Sequence, residues 1–153
     1  MSRAERAKEL FIQGYACSQA VALAFSDLFD INEEDIAKLT LPFGGGLGRL
    51  RLTCGAVSGM AVVIGLAFAD EAVSPENKKN VYAIMQTLSE RFKAENGSLI
   101  CADLLTGANL QVSVGGEAEK RSADYYKKRP CAEIVYSAAR ILEEYLTEKG
   151  VIS

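Results

Sequence analysis

Four cysteines are the residues of this 153-residue chain whose side chains could perform redox or metal chemistry. Histidine is absent, so the commonest general base, the commonest zinc and haem ligand and every Ser-His or Cys-His nucleophile pair are missing. No pair of carboxylates stands out as acid–base machinery, and the sequence leaves open whether the protein is an enzyme. No two cysteines form a CxxC pair, so the local signatures of zinc ribbons and thioredoxins are missing too. The candidate ligands or nucleophiles are Cys17, Cys54, Cys101 and Cys131.

Each cysteine falls in the first turn of a predicted helix. Helix N-termini carry unpaired N–H groups and about half a positive charge, and both favour a thiolate over a thiol. Such a position can lower a cysteine pKa from about 8.5 toward neutrality or below. We therefore predict that the four cysteines act as anions. The competing interpretation is that they are buried small apolar residues, which free cysteines often are.

The elements that must position these cysteines are helices. Apolar residues recur at helical spacing and β signals are weak, so we predict an all-α fold, a single-domain bundle of about six or seven helices over residues 1–153. Gly14 and Gly97 are expected to end helices, and Asn32, Ser74 and Ser98 to cap them. The predicted segments span about residues 2–13, 17–29, 33–41, 54–69, 75–93 and 99–105, a short turn at 122–127, and 131–149.

Charge and hydropathy exclude several classes of partner. The chain has 17 basic and 20 acidic residues, a net charge of −3, which gives no electrostatic basis for nucleic acid or an anionic membrane as the main partner. The apolar run from Cys54 to Ala69 has 16 residues, fewer than the roughly 20 that span a bilayer, so we expect no membrane insertion. The charged N-terminus has no apolar signal-peptide core, and we expect a cytoplasmic location. In a reducing cytosol, four cysteines favour metal ligands or redox thiols over structural disulfides.

A glycine-rich loop leads into the central predicted helix, which starts at Cys54. Its four glycines, at positions 44, 45, 46 and 48, match neither a Walker loop nor the GxGxxG of a dinucleotide-binding unit. We expect the loop to fold tightly over a neighbour, with positive φ at Gly46 or Gly48. Gly55 and Gly59 leave the start of the following helix without side chains at two positions. We predict that one of them touches another helix's backbone and that both make room for a cofactor at the Cys54 sulfur.

Basic residues near two of the cysteines could neutralise a cluster of thiolates. Arg49 and Arg51 precede Cys54, and a Lys-Lys-Arg run at positions 127–129 precedes Cys131. The second group is more typical of a solvated charge run than of a binding site.

These motifs resemble those of a known family. The stretch GYACSQAV contains Cys17, the stretch FGGGLGRLRLTCGAVSG contains Cys54, and single cysteines follow at 101 and 131. The arrangement resembles the four-cysteine family of redox-active proteins named for one cysteine, a CGAxxG motif and two further cysteines, and the resemblance covers nearly the whole chain. Related domains are fused in split-Soret-type cytochromes, where four cysteines hold an iron–sulfur centre. The resemblance implies that the four cysteines of this chain form one site, without haem, because no CxxCH motif is present.

Two chemistries follow from a four-cysteine site. In the first, the cysteines ligate one metal centre for electron transfer or sensing, either a [2Fe–2S] cluster, for which four cysteines are the standard set, or another thiolate-bound metal such as zinc. In the second, the protein is a thiol–disulfide oxidoreductase or redox switch with Cys54 and Cys17 as the reacting pair. A third interpretation is a helical interaction module with buried structural cysteines. We prefer the cluster, because all four cysteines share one sequence context; the redox partner protein is unidentified, and a homodimer stays open.

Overall fold

Helices account for 67% of the chain in a computed structural model that describes all 153 residues, and no β-strand is present. This confirms the all-α prediction. The structure has eight helices rather than six or seven, since the short turn predicted at 122–127 is also a helix. The helices are α1 (Arg3–Ile12), α2 (Cys17–Leu23), α3 (Glu33–Thr40), α4 (Gly55–Phe68), α5 (Pro75–Asn96), α6 (Cys101–Gly107), α7 (Ala123–Lys128) and α8 (Cys131–Glu148).

Side-chain caps begin two of these helices where the sequence predicts them. Asn32 Oδ1 accepts a hydrogen bond from the N–H of Asp35 at 2.8 Å, and Ser74 Oγ accepts one from the N–H of Asn77 at 3.1 Å. Each bond satisfies a backbone donor that the helix itself leaves without a partner. Gly97 ends α5 with a φ of 96°, a conformation that glycine adopts without a steric penalty.

Two predicted helix boundaries are wrong. The segment predicted over 17–29 leaves the α-helix after Leu23, because the chain there tightens into the 3₁₀ turn Ser26–Leu28. Ser98 does not cap α6, whose preceding residue is Ile100. The Ser98 hydroxyl instead accepts a hydrogen bond from the N–H of Ile100 at 3.0 Å and donates one to Asp103 at 2.8 Å.

The core lies where α1 and α2 meet α8 and α4. Helix α1 packs along α8 and α2 packs along α4, while α2 also contacts α1, α3 and α8. The aromatic rings of Phe11, Phe25 and Phe92 are fully buried. The apolar interior is one continuous cluster of 29 buried residues, so the chain forms one domain. None of the eight helices combines the length and the apolar character needed to cross a bilayer.

Gly59 of α4 lies against the backbone of α2. A Cβ at this position would be 2.8 Å from the Ser18 carbonyl oxygen and 3.0 Å from the Val21 Cβ. We expect Gly59→Ala to lower the free energy of unfolding by about 1–3 kcal/mol through overpacking. Gly65 in the same helix has no atom within 4 Å of its Cβ position, so Gly65→Ala should raise that free energy by up to about 1 kcal/mol.

Thermal unfolding of the two alanine variants measures the difference. For a domain of this size each 1 kcal/mol corresponds to about 2–4 °C in Tm. A Gly59→Ala variant that melts at or above the wild-type temperature would contradict the close packing of α4 on α2.

Candidate functional site

The four cysteines begin four different helices. Cys17, Cys101 and Cys131 are the first residues of α2, α6 and α8, and Cys54 immediately precedes α4. The predicted placement of every cysteine at a helix start is therefore confirmed. Residues that start different helices are far apart in the chain, and only the packing of the bundle determines whether they meet.

All four cysteines line a single cavity of about 350 Å³. Cys54 is buried, with 6% of its surface exposed, and the other three are half-buried free thiols. The charges of the other three cysteines help to raise the pKa of Cys54, those of Cys17 and Cys101 help to raise the pKa of Cys131, and that of Cys101 helps to raise the pKa of Cys17. The bundle therefore brings the ends of α2, α4, α6 and α8 to one place in the molecule.

Because Gly55 has no side chain, Cys17 can lie close to the start of α4, next to Cys54. A Cβ at Gly55 would lie only 2.4 Å from the Cys17 sulfur and 2.9 Å from the carbonyl oxygen of Phe43. Together with the contact of Gly59 on the α2 backbone, this confirms the predicted close approach of another helix. Any side chain at Gly55 would occupy the space in which the Cys17 sulfur lies.

The glycine loop positions Cys101 in a similar way. Gly46 has a φ of 71° and Gly48 a φ of 56°, which confirms the predicted left-handed conformation. A Cβ at Gly46 would lie 2.7 Å from the Cys101 Cβ. The Cys101 N–H donates to the carbonyl oxygen of Leu52 at 2.6 Å, so the segment after the loop is hydrogen-bonded to the start of α6.

Three residues other than glycine share the left-handed conformation in this loop. Leu47, Arg49 and Arg51 have φ values of 69°, 65° and 61°. Such angles cost about 1–2 kcal/mol per residue for side chains with a Cβ, and strain of this kind concentrates at functional sites. Both strained arginines line the cavity. Arg51 is buried, donates from Nε to the Ser113 carbonyl oxygen at 2.9 Å, and lies with Nη1 3.7 Å from the Cys101 sulfur.

The basic run before Cys131 divides into a cavity residue and two surface residues. Arg129 lines the cavity with its guanidinium 5.1 Å from the ring centre of Tyr125. Lys127 and Lys128 are exposed, and Lys128 pairs with Asp124 in the same helix. The interpretation of the run as solvated charge is therefore right for the lysines and wrong for Arg129, because α7 ends at the cavity rim.

Two charged cavity residues escaped prediction from the sequence. Glu119 is the single acidic residue of the cavity wall, and Arg121 is part of the same wall. Arg121 donates from Nη1 to the Phe11 carbonyl oxygen at 2.7 Å, and its guanidinium lies 4.3 Å from the Phe11 ring centre. Both come from the irregular segment before α7, which has no periodic pattern that could have indicated which side chains face inward.

Burial raises the pKa of three of the four thiols. Desolvation is the largest cause for Cys17, Cys54 and Cys131, and the neighbouring cysteines reinforce it. The pKa of Cys54 lies well above its ordinary value, and that of Cys131 rises to about 12. The predicted low-pKa thiolates are therefore wrong for these three thiols. Their helix starts lie inside the bundle, where the loss of water outweighs the stabilisation of a thiolate by N–H groups and arginines.

Backbone groups nevertheless act against burial at two of the thiols. Those of Gly45 and Ser18 lower the pKa of Cys17, and that of Ala56 lowers the pKa of Cys54, in each case by less than burial raises it. No three Cys, Asp or Glu side chains of the chain lie close enough together to hold a single metal ion. The tetrahedral site that a structural zinc needs is thus not assembled around these cysteines.

The fold and the cavity define an all-α protein with four cysteines on the wall of one cavity. A family model described as "Putative redox-active protein (C_GCAxxG_C_C)" matches residues 15–145, which include all four cysteines. The chain belongs to this redox-active family, in which its motif reads CGAVSG from Cys54 to Gly59. No curated protein and no solved structure matches the chain in the corresponding comparisons.

Proposed function

We propose that the four cysteines act together as one redox centre and hold a [2Fe–2S] cluster for electron transfer or sensing. The observation that carries the proposal is the convergence of four helix starts, each with one cysteine, on the wall of one cavity. Four cysteine thiolates are the standard ligand set of a [2Fe–2S] cluster, and soft sulfur donors select iron–sulfur clusters over hard cations.

The surroundings of the cysteines suit such a ligand set. Cys17, Cys54, Cys101 and Cys131 would be the ligands, and two irons would divide the four between them, so no three need to surround one ion. The backbone N–H groups at Cys17 and Cys54 would hydrogen-bond the ligating sulfurs, which influences reduction potential. When bound, the cluster supplies one-electron redox chemistry.

The raised thiol pKa values have a consequence for the uptake of metal. Ligation requires thiolates, so metal uptake must release the protons that burial holds on the cysteines. Arg121 favours the deprotonated form of Cys17 and Cys131, and Arg129 favours that of Cys131. Arg51 Nη1 lies 3.7 Å from the Cys101 sulfur.

A second function is favoured by the closeness of Cys17 to Cys54. Burial is the largest cause of the raised Cys54 pKa, and the charge of Cys17 is the second largest. The Cys17 sulfur also lies against Gly55, the residue that follows Cys54. As a thiol–disulfide oxidoreductase, the Cys54 thiolate would attack a partner disulfide and release one partner thiol. Cys17 would then attack the mixed disulfide and release the second thiol, so the partner gains two electrons and the chain gains a Cys17–Cys54 disulfide.

Purification without oxygen, followed by metal and sulfide analysis and a visible spectrum, tests the cluster. We expect about two irons and two sulfides per chain and a brown protein that bleaches on reduction, as four-cysteine [2Fe–2S] ligation implies. A protein that stays colourless after reconstitution with iron and sulfide would reject the cluster and leave the dithiol function.

A further inference from the structure

The wall of the cysteine cavity carries an excess of positive charge. Four guanidinium groups face one carboxylate there, an excess of three positive charges while the thiols are protonated. The chain as a whole has a net charge of −3, so this excess is local and does not follow from composition. The charged residues of the wall are Arg49, Arg51, Arg121, Arg129 and Glu119.

Three of these arginines are held away from water. Their side chains are 13%, 6% and 11% exposed for Arg49, Arg51 and Arg129. Placing like charges in a cavity of low polarity costs free energy unless anions compensate them. The strained backbone at Arg49 and Arg51 adds to that cost, so the arrangement is unfavourable for a bundle that needs only to fold.

The single carboxylate shows what kind of group the arginines bind. One oxygen of Glu119 contacts all three buried guanidinium groups: Arg49 at 3.4 Å, Arg51 at 3.8 Å and Arg129 at hydrogen-bond distance. Burial acts to raise the pKa of Glu119, but the hydrogen bond and charge of Arg129 outweigh it, with help from Arg49, and the pKa lies below its ordinary value. The Glu119 side chain is itself 39% exposed, so it reaches the arginines from the open side of the cavity.

Donors remain available for a second anion. Arg121 donates one hydrogen bond, to the Phe11 carbonyl oxygen, and Arg129 donates one, to Glu119. A guanidinium group has five N–H donors in a fork that matches carboxylate and phosphate oxygens. The cavity volume of about 350 Å³ lies in the range of small-molecule sites.

We propose that the arginine side of this cavity is a binding site for a small oxyanion, a carboxylate- or phosphate-bearing molecule, next to the four cysteines. Arg121 and Arg129 supply the free donors, and Glu119 occupies part of the same site as an internal carboxylate. The anion lies beside the sulfurs whether these hold a cluster or act as a dithiol. The inference goes beyond the proposed function, and it rests on the free guanidinium donors rather than on the charge state of the sulfurs.

Calorimetric titration with inorganic phosphate and, separately, with succinate tests this site in the full chain purified without oxygen. Sodium chloride at equal ionic strength is the reference for non-specific screening, and iron content is measured on the same sample. We expect saturable binding of at least one probe, and the two arms distinguish a phosphate site from a carboxylate site. Because iron is measured independently, the experiment can reject the cluster without rejecting the anion site, and can reject the anion site without rejecting the cluster.

Three variants of the site and one control variant locate the binding. Arg121→Gln and Arg129→Gln should each raise the dissociation constant about tenfold, as the loss of one charge-assisted hydrogen bond predicts, and the surface variant Arg140→Gln should leave it unchanged. Glu119→Gln should lower it about tenfold, because the internal carboxylate no longer competes. The same variant should show a larger rise in Tm with the bound probe than wild type does.

The Glu119→Gln variant keeps the test decisive if an arginine variant fails to fold. Absence of binding above the chloride reference in both wild type and Glu119→Gln would overturn the proposal. Equal affinity of Arg129→Gln and wild type would overturn it too, since the anion would then bind elsewhere.

Discussion

Serine in place of any one of the four cysteines is expected to remove most of the bound iron from the protein. Each change replaces a soft thiolate ligand by a hard hydroxyl oxygen, which is a poor donor for the irons of an iron–sulfur cluster. Loss of a group that only hydrogen-bonds to a metal ligand costs about 10–100-fold in metal affinity, and loss of a direct ligand should cost at least as much. Iron content and visible absorption measure the effect in four variants purified without oxygen: Cys17→Ser, Cys54→Ser, Cys101→Ser and Cys131→Ser.

Met60→Leu is the matched control for these substitutions. Met60 is fully buried in α4 and does not line the cavity, so this change removes a sulfur from the core at nearly constant volume. We expect full iron content in the control and similar losses in all four serine variants. Full iron in any serine variant would contradict a cluster with four cysteine ligands.

The dithiol function predicts unequal effects in the same set. Cys54→Ser would abolish exchange, and Cys17→Ser would trap a mixed disulfide between Cys54 and the partner protein. Cys101→Ser and Cys131→Ser would keep most of the activity. An interaction module with structural cysteines predicts no functional loss in any single variant.

Gly55→Val is expected to have the largest effect of any single change outside the cysteines. The new Cβ would lie 2.4 Å from the Cys17 sulfur, 2.9 Å from the Phe43 carbonyl oxygen and 3.3 Å from the Ser18 nitrogen. Two of these three atoms belong to the backbone and cannot rotate away. We expect the free energy of unfolding to fall by about 3 kcal/mol, at the upper end of overpacking, with displacement of the Cys17 sulfur. Thermal unfolding and iron content measure the two consequences.

Two other glycines of α4 separate instability from distortion of the site. Gly65→Val places the same side chain in open space on the same helix and should retain both stability and iron. Gly59→Ala presses on the α2 backbone without touching a sulfur, so it should lower Tm and retain iron. If Gly55→Val keeps full iron, the Cys17 sulfur does not need its position against α4, and its role as a ligand is rejected.

Local sequence signals predicted the helices well. Asn32 and Ser74 cap helices as expected because a cap is a bond between a side chain and an N–H group two or three residues later. The premature end of α2 at Leu23 was not predictable in this way, because the apolar pattern continues to Phe29 although the backbone has already turned. Ser98 differs from the prediction because its hydroxyl bonds to the Ile100 N–H and to the Asp103 carboxylate instead of capping α6.

The sequence by itself determined the residue types of the site and their position at helix starts. Glycine at 46, 55 and 59 also indicated close approach, because only a missing Cβ permits it. The tertiary structure decided what those positions mean chemically. Burial turned helix starts that should favour thiolates into sites where three thiols have raised pKa values, and desolvation depends on the whole bundle. The tertiary structure also placed Arg121, Arg129 and Glu119 around the cysteines, since side chains from an irregular segment acquire neighbours only when the helices pack.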